Sequence, residues 1–243
     1  MTIADSLRGG IDGIVIDAVG TLIEPIPSVA DVYRAAADDQ GITLDPDEVR
    51  TRFAHAFQTE ETADQTEHLA THEARESARW RRIVAGVLPE VPDPDRAFAL
   101  LWDHFSRPDA WRCYPDVAPA LQLFRQANLA VCIGSNFDAR LRSVLAGLPE
   151  FDEPLRSRVV ISSEVGFRKP HPAFFEAASR QLARDPARLL SVGDDLENDV
   201  LGARRAGFVG VLLDRRGRAE PGVPRVASLI ELAHGLLANR VAS

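Results

Sequence analysis

The sequence contains almost no lysine and few cysteines. Of the 28 lysine and arginine residues in the 243-residue chain, only Lys169 is a lysine. Arginine carries a broad charged fork and lysine a compact point charge. Lys169 is therefore either a surface residue that is lysine by chance or a position at which arginine could not replace lysine.

The two cysteines are too few for a disulfide framework and lack metal-ligand spacing. Cys132 lies in an apolar run, which predicts a buried and unreactive thiol.

The sequence also lacks long apolar runs and a basic stripe. The apolar runs at 14–16, 129–133 and 209–213 are far too short to span a bilayer, and residues 1–5 do not resemble a signal peptide. We therefore predict a cytoplasmic protein with no membrane partner. A formal net charge of −8 argues against nucleic acid as a partner. It leaves room for a small anionic substrate, which needs only a local positive site.

Five short apolar runs alternate with helical stretches along the chain. The runs are 11–16, 129–133, 159–161, 189–192 and 209–213. They are apolar rather than alternating, which is typical of strands covered on both faces, and the pattern predicts an α/β fold with a Rossmann-like, doubly wound parallel sheet. Small or polar residues follow each run. Because ligands bind beyond the carboxyl ends of parallel strands, we expect these residues to converge on one crevice.

Residues 27–115 separate the first two predicted strands and are too long for a simple crossover. They contain no convincing strand, and segments 28–40, 75–87 and 94–106 are predicted as helices, with a further helix starting near 45. Ser28 is a suitable N-cap, and Pro46 suits the first position of its helix. We therefore predict an α-helical cap domain at 27–115, inserted into a core domain formed by 1–26 and 116–243.

Four motifs at the predicted strand ends resemble those of the haloacid dehalogenase superfamily. They are Asp17-Ala18-Val19-Gly20-Thr21-Leu22, Gly134-Ser135-Asn136, Lys169-Pro170, and Gly193-Asp194-Asp195 with Asp199. They occur in the family's order and cover nearly the whole chain. Each motif is weak alone, but the four together are specific. The resemblance implies a hydrolase of the magnesium-dependent, phosphatase-like branch, with its helical cap inserted after the first motif.

The resemblance implies a role for each motif, and each role has a chemical reason. Asp17 is expected to attack the phosphorus of a small phosphorylated metabolite and form an aspartyl-phosphate. Lys169 would offset the repulsion between Asp17 and the phosphoryl group, and Ser135 would hydrogen-bond its oxygens. Mg²⁺ is the expected cofactor, because it prefers oxygen ligands. The predicted metal ligands are Asp17, the Val19 main-chain carbonyl, Asp194 and Asp199, and the predicted substrate-binding residues are Gly20, Thr21 and Asn136.

Val19 is a departure from the family pattern. Phosphatases of this family usually carry a second aspartate at this position, which serves as general acid and base. A valine cannot move a proton, and such help is typically worth about 10²–10⁴-fold in rate. Glu24, His55, His68 and His72 are candidates to replace it, although each is also typical of a solvated helix surface.

Two alternative functions stay open. Haloacid dehalogenases also lack the second aspartate, so a 2-haloacid dehalogenase-like hydrolase is one alternative, although such enzymes need no metal and lack the acidic motif at 193–199. A weakly active or non-catalytic phosphate-binding regulatory protein is the other, because fold membership does not prove activity. A phosphonoacetaldehyde hydrolase would need a cap lysine, and 27–115 contain none.

Aromatic residues in and next to the predicted cap bear on substrate choice. Trp80, Trp102, Phe105 and Trp111 suit either the core of the cap or a substrate pocket. Asp138 lies near the expected rim of the crevice, where it could contact substrate. No residue identifies the leaving group or the oligomeric state.

Overall fold

A computed structural model describes residues 10–217 and 222–241. Its strands are β1 (Gly13–Ile16), β2 (Ile23–Pro25), β3 (Trp111–Cys113), β4 (Ala130–Ser135), β5 (Val159–Ile161), β6 (Leu189–Gly193), β7 (Val209–Leu213) and β8 (Arg225–Val226). Six of them form one sheet in the order β5-β4-β1-β6-β7-β8, and every pairing within it is parallel. The predicted parallel α/β fold is confirmed.

Helices occupy most of the chain between the strands. They are α1 (Val29–Asp38), α2 (Pro46–Thr66), α3 (Glu73–Val87), α4 (Pro94–His104), α5 (Val117–Gln126), α6 (Arg140–Gly147), α7 (Glu153–Arg156), α8 (Ser162–Val165), α9 (Pro172–Leu182), α10 (Gly202–Arg205) and α11 (Leu229–Val241). Single turns of 3₁₀-helix at Pro108–Ala110 and Pro186–Arg188 and of π-helix at Leu196–Leu201 complete the set. Within the described ranges, no helix is long and apolar enough to cross a membrane.

Both faces of the sheet are covered, which explains why its strands are apolar throughout. Ile14 and Ile16 of β1 belong to a hydrophobic cluster that includes α5 and α11. Val15, between them, points to the opposite face and joins a second cluster with Phe174 of α9. Cys132 is buried in this second cluster as predicted, and its burial raises the pKa of the thiol to about 12.

Helices α1–α4 follow β2 and build a third hydrophobic cluster of their own, with Tyr33, Ile83 and Leu101 among its buried members. The predicted helix starts are confirmed: the Ser28 side chain accepts from the Asp31 amide, and Pro46 opens α2. The segments 1–9, 218–221 and 242–243, which the sequence assigns to the core domain, lie outside the described residues.

The prediction that 27–115 contains no strand is wrong. β3 lies within this range and pairs antiparallel with β2, so that Ile23 lies opposite Cys113 and Pro25 opposite Trp111. Each strand has only three residues, too few to show a periodic pattern in the sequence. The β2–β3 ribbon holds the two ends of the helical segment side by side. β8 also escaped prediction, since it has only two residues.

Candidate active site

The order of the strands brings the predicted site residues together. β1 lies between β4 and β6. The later strands are added on both sides of β1, so the strand order reverses there. Asp17 follows β1, Ser135 ends β4 and Asp194 follows β6, so their backbones emerge at adjacent positions along one edge. The Asp17 amide also donates to the Val192 carbonyl at 2.9 Å. Open α/β sheets bind their ligands at such a point.

Lys169 lies at the centre of these residues and not on the surface. Its side chain is only 4% exposed, and its Nζ lies 2.7 Å from Asp17 Oδ1 and 2.6 Å from Asp199 Oδ1. A third acceptor, the Gly134 carbonyl, is at 3.0 Å. Burial alone would lower the pKa of Lys169, but attraction to Asp17 and Asp199 outweighs it and raises the pKa above its ordinary value. The only lysine in the chain therefore stays charged and bonded on three sides.

Three carboxylates cluster at this site, and two of them bond to the ammonium group. Asp17, Asp194 and Asp199 each offer an oxygen within 4.8 Å of the others. Burial, and secondarily repulsion from Asp199, raises the pKa of Asp194 to about 6. Burial raises the pKa of Asp199 to about 7 and also that of Asp17, against the opposing attraction of Lys169. One ammonium does not compensate three carboxylates, so the cluster favours a further cation.

Both carboxylate oxygens of Asp199 already accept hydrogen bonds from other residues of the protein. Its Oδ1 accepts from Lys169 and its Oδ2 accepts from the Asp195 amide at 3.1 Å. The Asp195 side chain in turn accepts from the Asn198 amide at 2.8 Å and caps the turn that carries Asp199. Asp194 differs: among the described residues its side chain accepts a single hydrogen bond, from the Thr21 hydroxyl, and this bond is long at 3.5 Å. Asp194 is therefore freer than Asp199 to bind a ligand directly.

Gly20 and Thr21 lie against Asp194 and not on the wall of the cavity described below. Gly20 has a φ of +88°, and a Cβ at this position would collide with the Asp194 carboxylate. Glycine is therefore favoured by the backbone conformation, and a Cβ here would displace the Asp194 carboxylate. Thr21 is fully buried. Their predicted substrate contact remains a prediction, and the structure shows them bordering a predicted metal ligand.

Asn136 and Ser135 differ in what their side chains contact. The Asn136 amide donates to the Lys169 carbonyl at 3.0 Å and accepts from the Lys169 amide at 2.7 Å. Both residues line the cavity, but the Ser135 hydroxyl makes no hydrogen bond with any residue in the described ranges. Ser135 is therefore available to a ligand, whereas Asn136 is engaged in holding Lys169.

A cavity of about 420 Å³ opens above these residues, between the edge of the sheet and helices α1–α4. Asp17, Val19, Lys169 and Asp194 lie at its sheet end. The four aromatic residues singled out in the sequence, Trp80, Trp102, Phe105 and Trp111, all line it. They also pack in the hydrophobic clusters, so they serve both the core and the cavity wall.

The sequence candidates for the missing acid–base group lie elsewhere. Glu24, His55, His68 and His72 are not among the residues that line the cavity. Asp138 is likewise unavailable to substrate, since it is fully buried and engaged by Arg140 through two hydrogen bonds of 2.7 Å.

The loop before Lys169 is joined to the helical segment in a way that the sequence did not reveal. The Thr71 amide donates to the Gly166 carbonyl and the Arg168 amide to the Leu69 carbonyl, both at 2.9 Å. Arg168, the neighbour of Lys169, is buried and its guanidinium contacts Glu76 of α3 at 2.6 Å. The only hint of this contact in the sequence is the charge of Arg168 beside the motif lysine. Nothing in the sequence pairs Arg168 with Glu76, which lies 92 residues away.

Comparison with known proteins defines the class. The family described as haloacid dehalogenase-like hydrolase matches residues 11–207; the chain belongs to this family and is a hydrolase. The haloacid dehalogenase-like hydrolase domain-containing protein 3 of Danio rerio is 28% identical over 213 residues, covering 82% of this chain and 84% of the relative. The glyceraldehyde 3-phosphate phosphatase of Methanopyrus kandleri is 34% identical over 148 residues, covering 60% of each chain.

Solved structures share the fold. A dehalogenase superposes with a TM-score of 0.71 at 21% identity, covering 91% of this chain and 95% of that chain. A HAD phosphatase from Thermococcus onnurineus superposes with a TM-score of 0.63 at 23% identity, covering 92% of this chain and 97% of that chain. Since both phosphatases and dehalogenases share this fold, the choice between the two reactions depends on the site.

Proposed function

We propose that this hydrolase cleaves phosphomonoesters of small molecules, with Asp17 as the nucleophile and Mg²⁺ as the cofactor. The observation that carries the proposal is the cluster of the Asp17, Asp194 and Asp199 carboxylates at one end of a cavity. The ammonium group of Lys169 bonds to two of them, Asp17 and Asp199. A dianionic phosphoryl group can approach a carboxylate nucleophile only where positive charge is concentrated. Lys169 supplies part of this charge, and the raised pKa values of Asp194 and Asp199 indicate a place for more.

The donor set fits Mg²⁺, which prefers oxygen ligands and near-octahedral geometry. Asp17 and Asp194 would hold the ion directly, together with the Val19 main-chain carbonyl predicted from the sequence. Asp199, whose oxygens already accept from Lys169 and the Asp195 amide, would support the site through these partners. When bound, Mg²⁺ would neutralise charge on the phosphoryl oxygens.

The remaining chemistry falls to side chains of this chain. An Asp17 oxygen would form a bond to phosphorus as the ester oxygen leaves with its electron pair, and water would then hydrolyse the aspartyl-phosphate to release inorganic phosphate. Lys169 would reduce the repulsion between Asp17 and phosphate, and the Ser135 hydroxyl would donate to a phosphoryl oxygen. Val19 supplies no proton to the leaving oxygen, so esters with poor leaving groups would react slowly.

The helical segment would act as a cap in this proposal. Helices α1–α4 roof the cavity, and the β2–β3 ribbon joins them to the sheet. A cap domain at 27–115 over a core formed by 1–26 and 116–243 accounts for this arrangement. It would exclude water from the site and supply the surface that selects the substrate.

Hydrolysis of p-nitrophenyl phosphate tests the proposal. Turnover should require Mg²⁺, stop with EDTA, and fall by about 10³-fold or more in Asp17→Asn. Asp109→Asn is a matched control, because the side chain of Asp109 is 76% exposed in the turn before β3; it should leave the rate unchanged.

A dehalogenase is the second candidate, favoured by the apolar Val19 at the sheet end of the cavity. Halide release from 2-chloropropionate that persists in EDTA, without phosphate release, would replace the proposal with this one. Binding of Mg²⁺ with neither turnover nor a beryllium fluoride complex would indicate the regulatory alternative.

A further inference from the structure

The cavity above Asp17 is larger than a phosphate group requires. Its volume of about 420 Å³ falls within the range of small-molecule sites. It runs without interruption from Asp17 and Lys169 to helices α1–α4. The part farther from the sheet is therefore available to the organic portion of a substrate.

Aromatic rings from separate helices form the wall of this farther part. Phe53 and Phe57 of α2 stack with their ring centroids 5.9 Å apart, and Phe57 lies 6.4 Å from Trp80 of α3. On the other side, Phe98 and Trp102 of α4 lie 5.3 Å apart. All five rings line the cavity. A wall of this kind binds apolar surface and offers few partners to hydroxyl groups.

Two arginines that line the cavity have their charge compensated by carboxylates. Arg79 is buried and contacts Asp64 at 2.9 Å and Glu61 at 2.7 Å. Arg168 contacts Glu76 at 2.6 Å and lies 3.3 Å from both Glu61 and Asp64. Asp64 also contacts Arg75 at 3.0 Å, so three guanidinium groups face three carboxylates. Neither cavity arginine is therefore free to bind a second anionic group of a substrate.

A third arginine on the wall is paired in the same way. Arg140 makes two hydrogen bonds to Asp138, and its Cζ lies 3.4 Å from the centroid of the Trp102 ring. Its guanidinium is therefore held between a carboxylate and an indole. At the sheet end, Val19 places a further apolar side chain on the wall.

We infer that the natural substrate is a phosphomonoester whose organic part is bulky and apolar, such as an aromatic or alkyl alcohol. This inference rests on the proposed phosphatase activity. The chain would accordingly discriminate against phosphorylated sugars, amino acids and hydroxy acids. Their hydroxyl and carboxylate groups would lose water and gain few partners along the aromatic wall.

The direct test compares kcat/KM for ethyl, butyl and 2-phenylethyl phosphate with values for glycerol 3-phosphate and phosphoserine. All are esters of primary alcohols, so differences in leaving group are small. We expect 2-phenylethyl phosphate to exceed ethyl phosphate by about tenfold or more, since even a single methylene in an apolar pocket is worth about 10-fold. Equal or better turnover of glycerol 3-phosphate or phosphoserine would overturn the inference and leave the phosphatase proposal intact.

A binding measurement keeps the two proposals separate. All three tryptophans of the chain line the cavity, so their fluorescence reports its occupancy. The non-hydrolysable 2-phenylethylphosphonate should bind about tenfold or more tightly than ethylphosphonate, even if no ester is turned over. Equal affinities would contradict the inference independently of catalysis.

A pair of variants localises the effect. Phe53→Gln places a polar group in the half-buried wall and should reduce the preference for 2-phenylethylphosphonate about tenfold or more. Leu100→Gln, at a residue of α4 that is 43% exposed and outside the cavity, should not change it. An unchanged preference in a folded Phe53→Gln protein would contradict the inference. Should that variant not fold, the comparison of ligands on the natural chain still decides.

Discussion

The side-chain amide of Asn136 makes both of its hydrogen bonds to the main chain of Lys169, donating to the carbonyl at 3.0 Å and accepting from the amide at 2.7 Å. These bonds join the end of β4 to the loop that carries Lys169. They fix the backbone from which the lysine reaches Asp17. Asn136 therefore holds the backbone of Lys169. It also lines the cavity, and the substrate contact that the sequence predicts for it stays a prediction.

Replacing Asn136 with alanine should separate these two roles. Loss of both hydrogen bonds, each worth about 1 kcal/mol, would let Lys169 shift from Asp17. We expect Asn136→Ala to lower kcat about tenfold or more and to leave KM within about threefold, because the variant removes a contact needed mainly for the chemical step. A raised KM with an unchanged kcat would support direct substrate binding instead.

Lys169→Arg should be as damaging as a non-conservative change. The ammonium group lies within 3.0 Å of three oxygens in a buried site, and a planar guanidinium cannot place one compact charge among them. We expect kcat/KM to fall about 100-fold or more and the Tm to fall. The reciprocal change Arg188→Lys, at a side chain that is 51% exposed, should alter neither quantity. A Lys169→Arg enzyme with normal turnover would show that only the charge matters.

Gly20→Ala tests how closely the first motif must approach Asp194. Two glycines provide a matched pair, because Gly20 and Gly41 have similar φ angles of +88° and +78°, but only Gly20 has neighbours that a Cβ would meet. Both variants should lose about 1 kcal/mol of stability from the left-handed backbone. Gly20→Ala should lose more and should also weaken Mg²⁺ binding, measured by calorimetry. Equal effects of the two changes would mean that the approach to Asp194 is unimportant.

The parallel sheet was predictable because its signal is strong in the sequence. In β1, Ile14 and Val15 point to opposite buried faces. Such a strand must appear in the sequence as an apolar run with polar residues after its end. The ribbon between Ile23 and Cys113 was not predictable, since its strands are three residues long and pair across almost ninety positions. The N-cap Ser28 was predictable because a cap depends only on residues next to it in the sequence.

The candidate site was predictable as a set of residues but not as a set of contacts. The motifs locate Asp17 and Asp194, because strand ends converge in any parallel sheet, and the family resemblance adds Lys169, which lies in the loop after α8. The hydrogen bonds of Lys169 with Asn136 and with Asp199 depend on loop conformations. The spacing of residues in the sequence does not predict these conformations. The pairing of Arg168 with Glu76 likewise joins segments that only the folded chain brings together.

Val19→Asp should increase phosphatase turnover by restoring a proton donor beside Asp17. General acid–base help is worth about 10²–10⁴-fold, and it matters most when the leaving group is poor. We therefore expect a gain of about 10²-fold with alkyl phosphates and little gain with p-nitrophenyl phosphate, whose leaving group needs no proton. Val19→Asn, which has a similar shape and cannot transfer a proton, is the control. Equal rates for the two variants would show that another acid already works here.

The stability of the metal-free protein should depend on pH through Asp194 and Asp199. Their pKa values in the folded chain, about 6 and about 7, exceed the ordinary value of about 3.9 in an unfolded chain. Between about pH 4 and pH 7 the folded state therefore binds more protons than the unfolded state, so stability falls as the pH rises through this window. Mg²⁺ binds the ionised carboxylates, so the rise in Tm that it causes should grow from about pH 5 to about pH 8.

Asp194→Asn decides whether this pH dependence belongs to the carboxylate cluster. The variant removes one of the three carboxylates whose pKa values are raised and relieves repulsion on the other two. Its metal-free Tm should therefore fall less steeply between about pH 4 and pH 7, and Mg²⁺ should raise the Tm much less. Asp109→Asn, in an exposed turn, should retain both the slope and the response to Mg²⁺. A thermal melt of the natural chain that is insensitive to Mg²⁺ at about pH 8 would contradict a cation site at these residues. Identical slopes in the natural chain and Asp194→Asn would assign the titration to other groups.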